Sequence, residues 1–336
     1  MNASVILCTC NSAQRMPETL AALLAQVTPP GFTWEVLVAD YKSQDGTSDV
    51  AMKLWTRADV PLTIVPILQA GKSAALEKAL DQAKGTALAI IDDDIAIDPD
   101  FLSLASQTLS SNPDIGVIGT SGRLGFVGEL PSWFEKYQDV FAVGPQAEKS
   151  GYLSGRRDWV WGAGSILNGN AWQKLRRAGF RFQLNFSRPD GLSFTSGTGG
   201  EDVELCLAVQ LHGYRIWYEA KMGYQHNIPA RRLTVDYLTA TTFASSKALP
   251  VHNIYRAQLH GDTKTLRGIF MGRSYLCLLY HLIGGCRALT KAWLLGYSKT
   301  DKSFLIKNYL GIIEGYRAFA PGYESIKKEI CLLSRC

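Results

Sequence analysis

The sequence lacks a long uncharged apolar run. The longest candidate, Ser274–Cys286, contains His281 and falls short of the ~20 residues that a membrane-spanning helix needs. The start of the chain has no charged segment ahead of an apolar one and runs directly into a predicted strand, so we expect no signal peptide. These features predict a cytoplasmic protein.

The cysteines form no recognisable metal-binding or disulfide pattern. Their number, seven, is odd, and no CxxC pair occurs. Most of them lie in apolar or helical stretches. Such usage is typical of thiols in a reducing compartment and argues against a zinc site or a disulfide framework.

Two nucleotide-binding motifs are missing as well. Neither a GxGxxG after a strand nor a GxxxxGK[ST] occurs, which argues against a dinucleotide dehydrogenase and a P-loop NTPase. The net charge of +5 is too weak to indicate a nucleic-acid partner. A mildly basic chain suits a phosphate-bearing ligand or an anionic membrane surface.

The remaining composition is that of a globular protein. The residues are 46% hydrophobic and 19% charged, as in a globular protein. The length of 336 residues suffices for one large domain or two ordinary ones. Neither an internal repeat nor a low-complexity segment appears.

The most informative stretch is the apolar run Ala87–Ile91, which is followed by Asp92, Asp93 and Asp94. An unbroken apolar run of this length is typical of a strand buried on both faces of a parallel sheet. Ligands bind at the carboxyl ends of such strands. Adjacent carboxylates repel one another, and a divalent cation that bridges to a phosphate would offset that cost. An acidic surface turn without a ligand is the alternative interpretation.

Apolar strands alternate with helices in the first third of the chain. Strands are predicted at 4–9, 34–39, 62–65, 87–91 and 115–120, with helices between them at 16–26, 48–55, 72–83 and 100–111. This alternation predicts an α/β fold with a doubly wound parallel sheet. We therefore expect Thr9, Asp40 and Asp92 at neighbouring strand ends, around one crevice.

The pattern is less regular in the rest of the chain. It predicts an irregular insert at 123–153, a flexible loop at 193–200, a helix at 203–212, short strands at 216–218 and 222–226, and helices at 266–293 and 303–319. Glu201 and Asp202 stand at the start of the helix that follows the flexible loop.

Several separated stretches together match one family pattern. They are Ser4–Asn11, Val38–Asp40 with Ser43–Thr47, Gly71–Ala75, Asp92–Asp94 and Gly199–Asp202. In residues, order and spacing, the chain resembles inverting family 2 glycosyltransferases of the GT-A fold. The resemblance covers roughly residues 3–230 and implies a mostly parallel, Rossmann-like sheet flanked by helices.

The resemblance also implies site residues. It assigns a nucleotide site to Thr9, Asn11, Asp40, Ser43, Asp92 and Asp93, metal ligands to Asp94 and His226, and catalysis to Asp202 and Glu201. Asp40 would accept a hydrogen bond from a uracil-like base, and Asp94 would hold Mn2+ or Mg2+ on the diphosphate. Asp202 would be the general base.

The chemistry of glycosyl transfer requires these residue types. Negative charge develops on the leaving diphosphate, and a cation held by carboxylates stabilises it. The attacking hydroxyl needs a carboxylate within hydrogen-bond reach. Inversion requires that this base lie opposite the leaving group, so it should come from another chain segment than the metal ligands. Asp202, far along the chain from Asp94, meets that demand.

Two positions depart from the family pattern. Cys10 stands where an aromatic residue is frequent, and Leu76 stands where the family often has Arg. Lys72 could replace the missing phosphate contact; the alternative is a solvated lysine at a helix start. These departures bear on the identity of the donor.

Other residues keep structural alternatives. His226 is either a metal ligand or a core histidine, and Trp161 either stacks on an acceptor sugar or is packed in the core. Gly200, in the glycine-rich lead-in to Glu201, is assigned to acceptor binding in a loop that closes on ligand. Glu201 and Asp202 could instead serve only as dipole partners of their helix.

We predict a catalytic domain at residues 1–230, with a nucleotide-binding half at about 1–122 and an acceptor half at about 123–230, and a helical region at 231–336. The segment 266–293 is too apolar for a solvent-facing helix. Either it lies on the inner face of a membrane, or it packs on the catalytic domain or on a second subunit, which would make a homodimer.

The predicted function is transfer of a sugar from a nucleotide donor, with UDP-sugars favoured, to a glycan or lipid-linked acceptor in cell-surface polysaccharide synthesis. A sugar nucleotidyltransferase is one alternative. It would need a glycine-rich loop after the first strand, where residues 10–15 contain no glycine. A non-catalytic nucleotide-sugar-binding protein is the other, and the presence of both Asp94 and Asp202 argues against it.

Overall fold

The strands of this protein form one mixed sheet with helices on both faces. The computed structural model describes residues 1–154, 157–184, 199–260 and 274–333. The strands are β1 Ala3–Thr9, β2 Trp34–Asp40, β3 Leu62–Pro66, β4 Ala87–Asp92, β5 Ile95–Ile97, β6 Ile115–Gly125, β7 Gly151–Tyr152, β8 Ser165–Asn168 and β9 Arg215–Asn227. The helices are α1 Met16–Leu24, α2 Thr47–Leu54, α3 Lys72–Gln82, α4 Phe101–Ser111, α5 Phe134–Tyr137, α6 Gly169–Arg177, α7 Glu201–Leu211, α8 Val235–Ser246, α9 Leu249–His260, α10 Ser274–Leu294, α11 Lys299–Phe319 and α12 Tyr323–Leu333.

The first half of the sheet is parallel, as predicted. The strand order is β3-β2-β1-β4-β8-β6-β9-β5, and β1 pairs in parallel with both β2 and β4. In this register Thr9 lies opposite Asp40, and Cys8 lies opposite Asp92. The polar residues that follow three strands are therefore brought to one edge of the sheet. The predicted α/β class is confirmed.

The second half of the sheet is mixed. Strand β8 is antiparallel to both β4 and β6, whereas β9 is parallel to β6 and antiparallel to β5. The two short strands predicted at 216–218 and 222–226 are parts of the single strand β9. Pairing of β5 with β9 sets Ile95 opposite His226, and this places His226 beside the acidic turn.

Both faces of the sheet are buried. On one face Ile6 belongs to a core with Leu80 of α3 and Tyr255 of α9, and on the other Val5 belongs to a core with Leu20 of α1. Alternate residues of β1 thus enter different cores, which explains why the strand reads as an unbroken apolar run.

The C-terminal helices share a core with the sheet and α7. Residues Val251 and Tyr255 of α9 belong to the same buried cluster as Leu207 of α7. Helix α11 packs on α8, and α10 packs on α11. Within the described ranges, no helix has both the length and the apolar character of a membrane span. The predicted division at residue 230 stays a prediction.

Two predicted segments fall partly outside the described residues. Of the loop predicted at 193–200, only Gly199 and Gly200 are described, and of the helix predicted at 266–293, the described part begins at Ser274.

A buried carboxylate joins α7 to its surroundings. Glu204 is fully buried and accepts hydrogen bonds from the backbone N–H groups of Gln183 (2.7 Å) and Leu184 (3.1 Å) and from the Tyr255 hydroxyl (3.1 Å). Replacing Glu204 by leucine would leave these donors without an acceptor. We expect the free energy of unfolding, measured by urea denaturation, to fall by about 3 kcal/mol or more. Glu204→Gln keeps an acceptor oxygen and should cost less; an equal loss in both variants would contradict this account.

Candidate active site

The first two acids after β4 are held by cations from other segments. Asp92 accepts from Lys72 Nζ at 2.6 Å. The buried Asp93 accepts from the Thr9 hydroxyl at 2.9 Å and pairs with Arg15 at 3.2 Å. Burial and then the charge of the next carboxylate raise the pKa of Asp93. These contacts fix the acidic turn to the end of β1, which carries the predicted nucleotide residue Thr9, and to Arg15 just before α1.

The third acid, Asp94, is buried and lies between a histidine and an arginine. Its Oδ2 accepts from Arg232 Nη1 at 2.6 Å, and its Oδ1 lies 3.5 Å from His226 Nε2. Hydrogen bonds and the charges of these two partners, which outweigh the effect of burial, hold the pKa of Asp94 well below its usual range. Asp94 is therefore ionised.

The orientation of His226 bears on its predicted role as a metal ligand. Its Nδ1 lies 2.8 Å from the Phe141 carbonyl oxygen, which can only accept a hydrogen bond. The ring therefore carries a hydrogen on Nδ1, and Nε2 faces Asp94 Oδ1 across 3.5 Å, where a protonated Nε2 pairs with the carboxylate. Without that proton, Nε2 and Asp94 Oδ1 are two acceptors that face each other, an arrangement that suits a shared divalent cation.

The protein supplies only part of a coordination sphere there. Among the residues that the structure describes, no group of three or more His, Cys, Asp or Glu side chains could hold a metal ion. An ion held by Asp94 and His226 would need further oxygen ligands, such as water or a diphosphate. The residues present therefore fit a cation that binds together with a nucleotide.

The predicted base-binding residues form one hydrogen-bonded network. Asp40 Oδ1 accepts from the Ser43 backbone N–H at 3.1 Å and from its hydroxyl at 2.5 Å, and Asp40 Oδ2 accepts from Ser48 at 2.5 Å. The Asn11 backbone N–H donates to Ser43 Oγ at 2.9 Å. The network joins the loops after β1 and β2, which are adjacent strands.

Asp202 and Glu201 occupy the first turn of α7. Asp202 Oδ2 accepts from the Gly162 backbone N–H at 2.9 Å, which orients the carboxylate. Burial, followed by the charge of Glu201, raises the pKa of Asp202 to about 6, while the charge of Lys72 opposes this rise. A carboxylate with this pKa is largely ionised at neutral pH yet is a stronger base than an ordinary aspartate.

Lys72 joins the acidic turn to the α7 turn. Its Nζ lies 2.6 Å from Asp92 Oδ1 and 3.9 Å from Glu201 Oε1. Lys72, Gly162, Glu201 and Asp202 also line a small cavity of about 10 Å³, which has room for little more than one water molecule. The contacts of Lys72 thus bring together the segments that carry Asp92 and Asp202, more than a hundred residues apart in the chain. Lys72 stands at the start of α3 with 35% of its side chain exposed, and its predicted contact with a phosphate stays a prediction.

Gly200 lies against α9. Its backbone has φ +99°, and a Cβ atom there would lie 2.8 Å from the His252 ring and 2.9 Å from Ala248. His252 Nε2 lies 2.9 Å from the Gly200 carbonyl oxygen. Burial, and then the charge of Arg256, lowers the pKa of His252 to about 3, so the ring is neutral and donates this hydrogen bond. The predicted acceptor contact of Gly200 stays a prediction; its observed contacts attach the Asp202 turn to α9.

Trp161 is buried, with 5% of its surface exposed. The Arg157 guanidinium lies over its ring at 5.2 Å, and its backbone N–H donates to Gln146 Oε1 at 3.1 Å. This environment favours packing over stacking on an acceptor sugar, which were the two alternatives for this residue.

A wider cleft of about 950 Å³ lies next to Arg15, the partner of Asp93; its lining includes the predicted residue Asn11 but not Asp40, Asp92, Asp94 or Asp202. Its walls include Asn11 and Arg15 after β1, Phe126 after β6, and Asn227 and Arg231 at and after the end of β9. The volume is in the range of a pocket for a ligand of nucleotide-sugar size.

The chain matches the family model for glycosyl transferase family 2 over residues 4–196. It is 34% identical to glycosyltransferase AglE of Haloferax volcanii over 107 residues. The aligned segment covers 32% of this chain and 35% of that protein. It is 23% identical to succinoglycan biosynthesis protein ExoM of Rhizobium meliloti over 238 residues, and this aligned segment covers 69% of each chain. The match to AglE thus spans about a third of that protein's length.

Solved structures with a similar fold include two in complex with nucleotide sugars. The structure of S. aureus TarS 1–349 with UDP-GlcNAc has a TM-score of 0.54 and 16% identity, over 95% of this chain and 92% of that one. The structure of the mannosyltransferase PcManGT from Pyrobaculum calidifontis with GDP-Man and Mn2+ has a TM-score of 0.52 and 20% identity, over 99% and 85%. These similarities establish a GT-A type of fold. Since the matched family segment covers more than half of the chain, the protein belongs to glycosyl transferase family 2.

Proposed function

We propose that the protein is a metal-dependent inverting glycosyltransferase that moves a sugar from a nucleotide donor to a hydroxyl group. The observation that supports this proposal is the contact of Lys72 with both Asp92 and Glu201, because it links the segment of the donor-side acids to the turn that carries Asp202. Neither end of this contact alone would distinguish a transferase from a nucleotide-binding protein.

The proposed donor is a UDP-sugar. The nucleotide would lie along the carboxyl ends of β1, β2 and β4, where Thr9, Asn11, Asp40, Ser43, Asp92 and Asp93 stand. Asp40 would accept the N–H of a uracil-like base, provided that it gives up one of its serine contacts. The similar structures in complex with UDP-GlcNAc and GDP-Man support a nucleotide sugar in general, and Asp40 favours uracil.

Asp94 and His226 would hold a Mn2+ or Mg2+ ion together with the donor diphosphate. When bound, such an ion acts as a Lewis acid that stabilises charge on the leaving diphosphate. The position of His226 Nε2, 3.5 Å from Asp94 Oδ1, supports this role. Arg232 would have to leave the second Asp94 oxygen or share it, and from there it could reach a diphosphate.

Asp202 would act as the general base. It would take the proton of the acceptor hydroxyl as that oxygen attacks the anomeric carbon and the nucleoside diphosphate leaves from the opposite face. Glu201 and Lys72 would adjust its basicity. The proposed acceptor is a glycan or a lipid-linked glycan in cell-surface polysaccharide synthesis, which the similarity to ExoM supports. The proposed location is the cytoplasm or the inner face of the cell membrane.

The pKa of Asp202 predicts the acid limb of the pH profile. We expect kcat/KM to fall as the pH drops below about 6, where Asp202 becomes protonated. Lys72→Gln removes a charge that lowers this pKa, so the limb should move to higher pH. Glu201→Gln removes a charge that raises it, so the limb should move to lower pH. Lys78→Gln, an exposed lysine of the same helix, is the control. If the acid limb moved in the same direction in Lys72→Gln and Glu201→Gln, this would contradict the assignment of the limb to Asp202.

The function itself is tested by a thermal-shift screen of UDP-, GDP- and dTDP-sugars with and without Mn2+. We expect stabilisation by one donor, increased by Mn2+, and release of the nucleoside diphosphate on addition of an acceptor. Formation of pyrophosphate from a sugar phosphate and a nucleoside triphosphate would indicate the nucleotidyltransferase instead. Donor binding without release of nucleotide for any glycan or lipid-linked acceptor would indicate the non-catalytic alternative.

A further inference from the structure

Helix α10 presents large apolar side chains to solvent. The most exposed are Leu294 (80%), Trp293 (67%), Tyr280 (60%), Leu279 (50%) and Ile283 (47%), and Leu295 (62%) directly follows the helix. With Leu282, the aliphatic members of α10 and Trp293 lie within about 120° of the helix circumference at 3.6 residues per turn, and Tyr280 borders them. We call Leu279, Leu282, Ile283, Trp293, Leu294 and Leu295 the α10 outer face.

The opposite side of α10 is packed on α11 through small residues. Ala292 is fully buried, and a Cβ atom at Gly285 would lie 2.9 Å from the Tyr309 ring. Leu278 and His281 pack on Tyr316 and its neighbours on the same side. The outer face is therefore exposed because the inner side is already filled.

The charges around the outer face have one sign. Residues 274–300 contain no Asp or Glu, and the exposed Arg287, Lys291 and Lys299 flank the apolar side chains, while the carboxylate of Asp301, which follows, is paired with Lys136. Lys302 Nζ lies 4.3 Å from the centroid of the Trp293 ring. A two-fold contact between two copies of this face would bring like charges together. An apolar face with a basic rim fits a surface that is apolar inside and anionic outside.

We propose that the α10 outer face docks on an anionic phospholipid surface, with the helix lying in the plane of the headgroups. The apolar side chains would enter the acyl boundary, and Arg287, Lys291 and Lys299 would contact lipid phosphates. This partner lies outside the catalytic cleft, and the inference does not depend on the identity of donor or acceptor.

Docking through α10 would orient the catalytic cleft relative to the lipid. Helix α10 packs on α11, α11 packs on α8 and α9, and α9 holds the Gly200 carbonyl through His252. A continuous set of packed helices thus runs from the proposed lipid surface to the turn that carries Asp202.

The test is co-sedimentation of the full chain with vesicles of phosphatidylcholine alone or mixed with phosphatidylglycerol. We expect the protein to sediment with the anionic vesicles and to be released at high salt. The variant Trp293→Ser with Leu294→Ser and Leu295→Ser should lower the bound fraction at least about tenfold, because three apolar anchors are lost. Arg287→Gln with Lys291→Gln should lower binding and its salt dependence.

The matched control is Val27→Ser with Met52→Ser. It removes two similarly exposed apolar side chains, Val27 (67%) just after α1 and Met52 (56%) in α2. It should bind vesicles as the parent protein does. Circular dichroism and the melting temperature verify that all variants are folded. Three results would overturn the proposal: a parent protein that stays in the supernatant with both vesicles, a triple variant that binds undiminished, or a dimer in light scattering that the triple variant loses.

Discussion

Replacement of Asp202 by asparagine is expected to abolish sugar transfer while nucleotide binding stays nearly unchanged. Asparagine has almost the same shape but cannot take a proton. Loss of a general base typically costs about 10²- to 10⁴-fold in rate. Because Asp202 lies on α7 and the predicted donor residues lie after β1, β2 and β4, donor affinity should be little affected.

The measurement is the release of nucleoside diphosphate in the presence of acceptor, alongside calorimetry of donor binding. Glu201→Gln is the matched comparison, since it changes the neighbouring carboxylate, 3.9 Å from Lys72, in the same way. We expect it to retain far more activity than Asp202→Asn. Turnover at a near-normal rate in Asp202→Asn would remove Asp202 from the role of base.

The parallel half of the sheet could be predicted because β1, β2 and β4 are buried on both faces, whereas the edge strand β3 is only partly buried. Each is a short apolar run between turn residues, and the runs alternate with amphipathic helices. The position of Thr9, Asp40 and Asp92 at one edge follows from this topology. Parallel strands of one sheet end at the same edge, so no knowledge of side-chain contacts was needed.

The mixed half could not be predicted in the same way. Strand β8 pairs antiparallel with β4 and β6, and nothing within Ser165–Asn168 specifies those distant partners. Strand β9 contains Glu219, Ala220 and Lys221 in its middle, which interrupt its apolar pattern. The sequence therefore predicts two short pieces. The neighbouring strand β6 shows a register shift between Gly119 and Ser121, where this interruption is accommodated.

The site residues that were missed act through the backbone or through tertiary contacts. The Gly162 N–H that orients Asp202 has no side chain to signal its role. His252, which holds Gly200, lies in α9, beyond the part of the chain that the family pattern covers. Arg15 was visible only as a basic residue at the start of α1, and its contact with Asp93 depends on the fold.

The second large effect expected is on metal binding, where substitutions of Asp94 and Arg232 should act in opposite directions. Arg232 Nη1 lies 2.6 Å from Asp94 Oδ2, so the guanidinium occupies an oxygen that a divalent cation would need. Without nucleotide, Asp94→Asn should weaken Mn2+ binding by about 10- to 100-fold. Arg232→Gln frees Oδ2 and removes a nearby positive charge, and should therefore strengthen Mn2+ binding.

The measurement is Mn2+ binding to the nucleotide-free protein by electron paramagnetic resonance, which does not depend on catalysis. Arg15→Gln is the control, because Arg15 pairs with Asp93 and does not touch Asp94. Its Mn2+ affinity should stay close to that of the parent protein. Unchanged affinity in Asp94→Asn would exclude Asp94 as a ligand. Unchanged or weaker affinity in Arg232→Gln would mean that the guanidinium and the cation do not compete. Stronger affinity would instead show that Arg232 compensates the charge of Asp94 until a cation arrives, which explains how a buried carboxylate stays ionised without metal.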